Sequence, residues 1–180
     1  MTSFSVQNFG CRVNQAEAFE WTSELQARGL RLERDFDRSH VVVVNTCTLT
    51  GRADRDARKF IRRIARHNPQ AKIVVTGCLA ERDPAQLERI PGVWRVIPNG
   101  EKAGLAGQIL SDAEAAPEGG VQAYRSRALL KVQDGCNMSC SFCIIPRVRG
   151  RSASDPKDVI HGRMKRLAED GFSEIVLTGI

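Results

Sequence analysis

The first hundred residues alternate short apolar runs with stretches of helical periodicity. The runs SFSVQNF, HVVVVN, AKIVVTG and WRVIP predict four strands. Helices are predicted between them over residues 14–28 and 51–67 and in a short stretch opened by Asp83 and Pro84. Strands that alternate with helices pair in parallel, and continuous apolar runs are typical of strands covered on both faces. The pattern therefore predicts a doubly wound parallel α/β sheet within residues 1–110.

A small, polar stretch rich in Gly and Pro predicts a linker over residues 111–127. After it, ALLKVQDG and SEIVLTG predict two strands, connected by a helix over residues 155–169. This single βαβ unit defines a second segment, residues 128–180. A two-stranded parallel piece leaves a long unpaired edge and is not stable alone. We expect either a truncated chain, which we favour, or a partner that covers the edge.

Composition narrows the class of protein. The formal charge of +6 permits a polyanionic partner such as RNA. No apolar run approaches the ~20 residues that a membrane span needs, and the N-terminus has no signal-peptide pattern. We therefore expect a cytoplasmic protein with no membrane partner. Thiols stay reduced in that compartment, so six cysteines indicate metal binding or catalysis and not disulfides.

Three of the cysteines lie in the stretch DGCNMSCSFCIIP, just after a predicted strand. A short loop can bring Cys136, Cys140 and Cys143 to three corners of a 4Fe–4S cube, leaving the fourth iron free for a substrate. The methionine part of S-adenosylmethionine suits that open position, and the combination supports radical chemistry. The alternative is a zinc site. Zinc, however, prefers four ligands in Cys-x2-Cys pairs, and no histidine or fourth cysteine lies nearby in the sequence.

The other three cysteines each follow a predicted strand: Cys11 after SVQNFG, Cys47 after VVVVNT and Cys78 after IVVTG. Because parallel strands end at one edge of a sheet, three thiolates from distant positions can converge there. Any one of these cysteines alone is better explained as a small buried hydrophobic residue. The repeated placement favours a second three-cysteine site, with the sulfurs within a few ångströms of one another.

With both cysteine sets in view, the chain resembles the radical-SAM methylthiotransferase family over nearly all its length. Five stretches carry the resemblance in the family's order: GCRVNQAE, VVVNTCTLT, VTGCLAER, QDGCNMSCSFCIIPRVRGRS and EIVLTG. The resemblance implies a flavodoxin-like N-terminal sheet followed by the start of a radical-SAM (β/α) partial barrel. It also implies these site residues: an auxiliary 4Fe–4S cluster on Cys11, Cys47 and Cys78, a radical cluster on Cys136, Cys140 and Cys143, and S-adenosylmethionine contacts from Thr178 and Gly179.

The resemblance also implies a reaction and its partners. The family methylates sulfur at the auxiliary cluster and uses a second S-adenosylmethionine to make a 5′-deoxyadenosyl radical, which removes hydrogen from an unreactive carbon before methylthio transfer. GCRVNQ and NTCTLTGRADRDARKFIRR most resemble the branch that modifies C2 of threonylcarbamoyladenosine beside the tRNA anticodon. Sister branches modify isopentenyladenosine in tRNA or an aspartate of a ribosomal protein. The implied partners are tRNA, an electron donor and a sulfur source.

Two non-enzymatic classes stay open: a truncated, non-catalytic iron–sulfur module and a zinc-binding RNA adaptor. The family has a longer barrel and a small β-domain that grips RNA, neither of which is found in these 180 residues. We therefore expect this chain alone to be inactive.

Basic residues gather in the predicted helix over 51–67, where apolar residues recur at the spacing of one buried face. The opposite face carries Arg55, Arg58, Lys59, Arg62, Arg63 and Arg66. The usual explanation of such a basic face is that it is solvated, and the more specific alternative is that it contacts RNA phosphates. Three more arginines follow the second cysteine set and are interpreted as phosphate contacts or loop contacts: Arg147, Arg149 and Arg151. The three histidines show no ligand pattern and are interpreted as structural or exposed: His40, His67 and His161.

Overall fold

The computed structural model describes residues 2–110 and 127–180. In the first range the strands span Ser3–Asn8 (β1), Arg31–Leu32 (β2), Val41–Thr46 (β3), Lys72–Gly77 (β4) and Val93–Ile97 (β5). The helices span Arg12–Ala27 (α1), Gly51–His67 (α2), Cys78–Arg82 (α3), Pro84–Glu88 (α4) and Leu105–Leu110 (α5). The strands form one parallel sheet in the order β2-β1-β3-β4-β5. This order is the flavodoxin-like one, which confirms the predicted doubly wound α/β sheet.

Helices cover both faces of the sheet because its central strands are apolar on both sides. All of β3 is buried, as its run of four valines predicts. Trp21 and Leu25 of α1 pack with α5 on one face, whereas Ile61 and Ile64 of α2 pack with α3 and α4 on the other. No helix in the described ranges is both long and apolar enough to cross a membrane.

The second segment forms a smaller unit. Its elements span Arg127–Lys131 (β6), Gln133–Asp134 (β7), Ile145–Arg149 (α6), Ala153–Ser154 (β8), Lys157–Glu169 (α7) and Glu174–Thr178 (β9). β6 and β9 pair in parallel with α7 between them in the chain, as predicted, and β7 pairs antiparallel with β8. The βαβ unit is therefore present. That it begins a radical-SAM barrel stays a prediction.

The two-stranded unit packs on the outer side of α1, a contact that the sequence did not predict. Ala128 and Leu130 of β6 are buried, and the Phe172 ring meets the Phe19 ring of α1 edge to face, with 5.5 Å between centroids. α1 is therefore covered on two sides, by the sheet and by β6–β9. Most of the predicted 111–127 linker lies outside the described residues, and Arg127 begins β6.

Candidate functional site

Three of the cysteines lie at neighbouring strand ends on the carboxyl edge, the sheet edge where β1, β3 and β4 end. Thr46 and Gly77 pair across β3 and β4, so Cys47 and Cys78, which directly follow them, are side by side in register. Cys11 comes three residues after β1 and is the N-cap of α1. Cys47 and Cys78 are buried, whereas Cys11 is half-buried.

Gly77 makes the close approach of β4 to β3 possible. Its φ is +93°, in the left-handed region that residues with a side chain rarely adopt. A Cβ at this position would lie 2.6 Å from Asn45 Oδ1 and closer still to the Thr46 carbonyl oxygen. The glycine therefore lets the chain turn from β4 directly into α3, with Cys78 as the first helical residue.

A buried amide connects Cys11 to the end of β3 and to the second segment. Asn14 Oδ1 accepts a hydrogen bond from the Cys11 thiol at 3.2 Å and another from Arg149 Nη2 at 2.6 Å. Asn14 Nδ2 donates to Asn45 Oδ1 and to the Thr46 carbonyl oxygen, both at 2.9 Å. Asn14 thus holds the start of α1, the end of β3 and α6 in one hydrogen-bonded group.

Beside this amide lies a set of five charged side chains, here called the buried charge cluster: Glu17, Lys102, Lys131, Asp134 and Arg149. Glu17 Oε1 lies 2.6 Å from Lys102 Nζ and 3.1 Å from Lys131 Nζ. Arg149 Nη1 lies 3.3 Å from Glu17 Oε1 and donates to Asp134 Oδ1 at 2.8 Å. Glu17 and Lys102 come from the first segment and the other three from the second, so the cluster joins the two.

The members of the cluster hold one another in their charged forms. Burial alone would raise the pKa of the Glu17 carboxyl, but the charges of Lys102, Lys131 and Arg149 lower it below its ordinary value. Burial likewise opposes ionisation of Asp134, whose pKa is nevertheless well below its usual range because Arg149 and both lysines favour the carboxylate. Three cations thus face two carboxylates, which leaves an excess of one positive charge.

This excess charge acts on Cys78. Burial raises the pKa of the Cys78 thiol, the positive charge of Arg149 opposes that shift, and the neighbouring Cys47 adds to it. Helix α6, which carries Arg149, packs against α3, which begins at Cys78. Arg149, from the second segment, therefore lies near Cys78 and is connected to Cys11 through Asn14.

Among the buried donors without a hydrogen-bond partner within the described residues are Thr48 Oγ1, next to Cys47 in the chain, Thr76 Oγ1, at the end of β4, and Arg149 Nε. A buried donor without a partner costs about 1–3 kcal/mol, so each is a position where a bound acceptor would be stabilised. Thiols, unpaired donors and excess positive charge together fit an anionic, thiolate-bound iron–sulfur group. Across residues 2–110 and 127–180, however, no three His, Cys, Asp or Glu side chains are gathered closely enough to hold a metal ion. The ligand roles of Cys11, Cys47 and Cys78 therefore stay predictions.

The second cysteine set lies on the cysteine loop, residues 135–144, which follows β7. Gly135 starts the loop with φ +72°, and the Cys136 amide donates to the Gly150 carbonyl oxygen at 3.0 Å. Cys136 is half-buried, whereas Cys140 and Cys143 are exposed. An open pocket of about 520 Å³ adjoins Cys136. Their role as cluster ligands likewise stays a prediction.

The end of β9 lies beside the start of this loop. Lys131 of β6 pairs with Thr178 of β9, so both strands end at the same edge. Gln133 Oε1 accepts from the Ile180 amide at 2.7 Å, and Gln133 Nε2 donates to the Gly135 carbonyl oxygen at 2.7 Å. The structure thus brings the predicted S-adenosylmethionine contacts, Thr178 and Gly179, next to the cysteine loop.

The basic residues divide between surface and interior. On α2 the predicted outward face is confirmed: Arg55, Lys59, Arg62, Arg63 and Arg66 are exposed, and Arg58 is half-buried against Asp83 at 2.8 Å. Arg147 and Arg151 are exposed too. Of the two interpretations of Arg149, a phosphate contact and a loop contact, the phosphate contact is wrong. The side chain of Arg149 is 0% exposed and pairs with carboxylates.

The histidines follow the prediction that they are structural or exposed. His67 and His161 are exposed, and His40 Nδ1 accepts a hydrogen bond from the Ser3 amide at 3.1 Å.

Sequence reasoning missed the polar residues that surround the cysteines. One signal was available: Cys11, Asn14 and Glu17 recur every three residues along α1, which places them on one helical stripe. Two polar residues in line with a candidate ligand indicate a polar site at that helix end. Lys102 and Lys131 gave no such signal, because they reach the cluster through tertiary packing.

The class of protein is defined by two features. One is a flavodoxin-like sheet with three cysteines at its carboxyl edge, and the other is a three-cysteine loop that a buried charge cluster joins to this sheet. Comparison with known proteins agrees with this description. Residues 3–97 match the family described as Uncharacterized protein family UPF0004, and these residues contain the whole of the five-stranded sheet. The chain therefore belongs to that family.

Curated relatives place the chain among MtaB-like proteins. It is 37% identical to the threonylcarbamoyladenosine tRNA methylthiotransferase MtaB of Chlamydia pneumoniae, over 99% of this chain and 43% of the relative. It is 38% identical to the MtaB of Bacillus subtilis, over 100% of this chain and 44% of the relative. A ribosomal protein uS12 methylthiotransferase RimO of Synechococcus is 30% identical over 96% of this chain and 41% of its own length. These findings confirm the resemblance, and the chain spans less than half the length of these relatives.

Proposed function

We propose that the protein containing this chain transfers a methylthio group to C2 of threonylcarbamoyladenosine beside the tRNA anticodon. The observation that carries the proposal is the hydrogen bond from Arg149 Nη2 to Asn14 Oδ1, which connects the helix after the cysteine loop to the edge where Cys11 lies. The names of the MtaB relatives support the choice of reaction and substrate. The proposed partners are tRNA, an electron donor and a sulfur source.

In this proposal each cysteine set holds one 4Fe–4S cluster: Cys11, Cys47 and Cys78 the auxiliary cluster, and Cys136, Cys140 and Cys143 the radical cluster. Thr178 and Gly179 contact S-adenosylmethionine. When bound, this cofactor supplies a carbon-centred radical, which adenine C2 requires because its hydrogen is not acidic and the carbon is weakly electrophilic. The chain's own contribution is to hold the two cysteine sets in a fixed relation through the buried charge cluster and Asn14.

A second candidate substrate is a ribosomal protein, because the RimO relative aligns over 96% of the chain. The four MtaB relatives at 35–38% identity favour tRNA over this alternative. Isopentenyladenosine in tRNA is the remaining alternative substrate within the family.

Mass spectrometry of tRNA nucleosides tests the proposal. A strain without the gene for this protein is expected to lose methylthio-threonylcarbamoyladenosine and to keep the unmethylthiolated nucleoside. Complementation with the intact gene should restore it, and complementation with Cys140→Ala should not. If the strain instead loses methylthio-isopentenyladenosine, or an unmodified ribosomal protein accumulates, the substrate assignment is wrong.

The exposed basic face of α2 is expected to add to tRNA affinity by neutralising phosphates. Replacing Arg55, Lys59 and Arg62 together with Gln should flatten the log–log salt dependence of tRNA binding by about 2–3 units, if each residue meets one phosphate. The matched control replaces Arg28 and Arg31, exposed arginines that pair with Glu24 and Glu33. The same slope in the α2 variant and its parent would favour a solvated face.

A further inference from the structure

Arg149 belongs to the second segment, yet its guanidinium is buried against the first. Three of its hydrogen bonds are accounted for: Nη1 to Glu17 and Asp134, and Nη2 to Asn14. The Nε–H has no partner within the described residues, although the side chain is 0% exposed. Asn14 Oδ1 accepts from both Arg149 Nη2 and the Cys11 thiol, and α6 packs against α3, which begins at Cys78, so this unpaired donor belongs to a group that borders the carboxyl edge.

Neutralising Glu17 and Asp134 does not require Arg149. Lys102 Nζ lies 2.6 Å from Glu17 Oε1, and Lys131 Nζ lies 3.3 Å from Asp134 Oδ2. The two lysines therefore already supply one positive charge for each carboxylate. A buried cation in excess is unfavourable unless an anion lies beside it. The arrangement of charges thus calls for a negative group on the Cys47 and Cys78 side of Arg149.

We propose that Arg149 is a positioning residue of the auxiliary site and donates a hydrogen bond from Nε to a sulfur of the group held by Cys47 and Cys78. The inference rests on the proposed function, because that function supplies the anionic group. Arg149 is carried by α6, directly after the cysteine loop, so one residue of the radical segment completes the site of the N-terminal segment. Loading of the auxiliary site and docking of the cysteine loop are thereby linked.

The expected signature is a shift in reduction potential. Hydrogen bonds to sulfur and nearby positive charge stabilise the reduced, more negative form of an iron–sulfur cluster. Loss of Arg149 should therefore move the midpoint potential of the auxiliary cluster to a more negative value. An arginine that served only to hold α6 in place would leave the potential of a correctly bound cluster unchanged.

The experiment is a redox titration monitored by electron paramagnetic resonance, on the protein with Cys136, Cys140 and Cys143 all replaced by Ala. Three further variants are compared in that background. Arg149→Gln removes the donor and its charge. Glu17→Gln with Arg149→Met removes one charge of each sign, so that it keeps the excess charge and leaves no new unpaired carboxylate. Arg147→Gln changes an exposed arginine of the same helix and is the matched control.

Negative shifts in both Arg149 variants, with no shift in Arg147→Gln, are the expected result. A cluster whose potential is the same with and without Arg149 would overturn this inference alone. If the double variant had the parent's potential, net charge and not a hydrogen bond from Nε would set the potential of the cluster. That result would also overturn the inference. If the background variant binds no cluster at all, the proposed function fails and this inference fails with it.

Discussion

Replacing Arg149 with Met should lower the free energy of unfolding of this chain by about 1–3 kcal/mol, the usual effect of leaving buried acceptors without a donor, since the two lysines still neutralise the carboxylates. The side chain is 0% exposed, and it donates to Asp134 and Asn14 as well as pairing with Glu17. Without it, Asp134 and Asn14 each lose a buried donor. Urea unfolding followed by circular dichroism measures the change.

The control for this prediction is Arg147→Met, two residues away on α6 and exposed. It should leave the unfolding midpoint unchanged, because its charge is solvated and surface charges contribute little. If the two variants unfold at the same urea concentration, the buried charge cluster does not hold the two segments together.

The second large effect is expected at two glycines, one for each cysteine set. Gly77→Ala should lower the free energy of unfolding by at least ~2 kcal/mol, since it combines a strained φ with a collision against the end of β3. Gly135→Ala should do the same at the start of the cysteine loop, where a Cβ would lie 2.7 Å from the Gly150 carbonyl oxygen and closer to that of Arg151. Both are read from urea unfolding.

Gly171→Ala separates strain from collision. Gly171 has φ +89°, but a Cβ there would meet no heavy atom within 4 Å, so only the backbone strain of about 1–2 kcal/mol is expected. Iron uptake adds a second readout: Gly77→Ala should impair the auxiliary site and Gly135→Ala the radical site. Equal losses of stability in all three variants would show that the close approaches at Gly77 and Gly135 do not matter.

The long elements could be predicted from the sequence because local pattern and tertiary burial agree there. The run VVVV is apolar throughout and lies in a strand that is buried on both faces. The helix predicted over 51–67 is Gly51–His67, capped by Thr50 Oγ1, which accepts from the Ala53 amide at 3.1 Å. Parallel pairing in turn predicted that Cys11, Cys47 and Cys78 follow strands that end at one edge of the sheet.

Short elements and the interior of the site could not be predicted, because their stability comes from distant residues. β2 has two residues and α3 five, too few for a periodic signal. Arg149 resembled its exposed neighbours Arg147 and Arg151 in sequence, and only the packing of α6 on the first segment buries it. Lys102 is 85 residues from Glu17 along the chain, yet it is the nearest cation to that carboxylate.

The central claim, that two separate cysteine sets hold two clusters, is tested most directly by iron and acid-labile sulfide analysis after anaerobic reconstitution. The parent protein should bind about eight irons and eight sulfides per chain, one 4Fe–4S cluster per set. Replacing Cys136, Cys140 and Cys143 with Ala should halve both values, and replacing Cys11, Cys47 and Cys78 should halve them by removing the other cluster. A triple variant that retained the parent's full iron content would contradict the account.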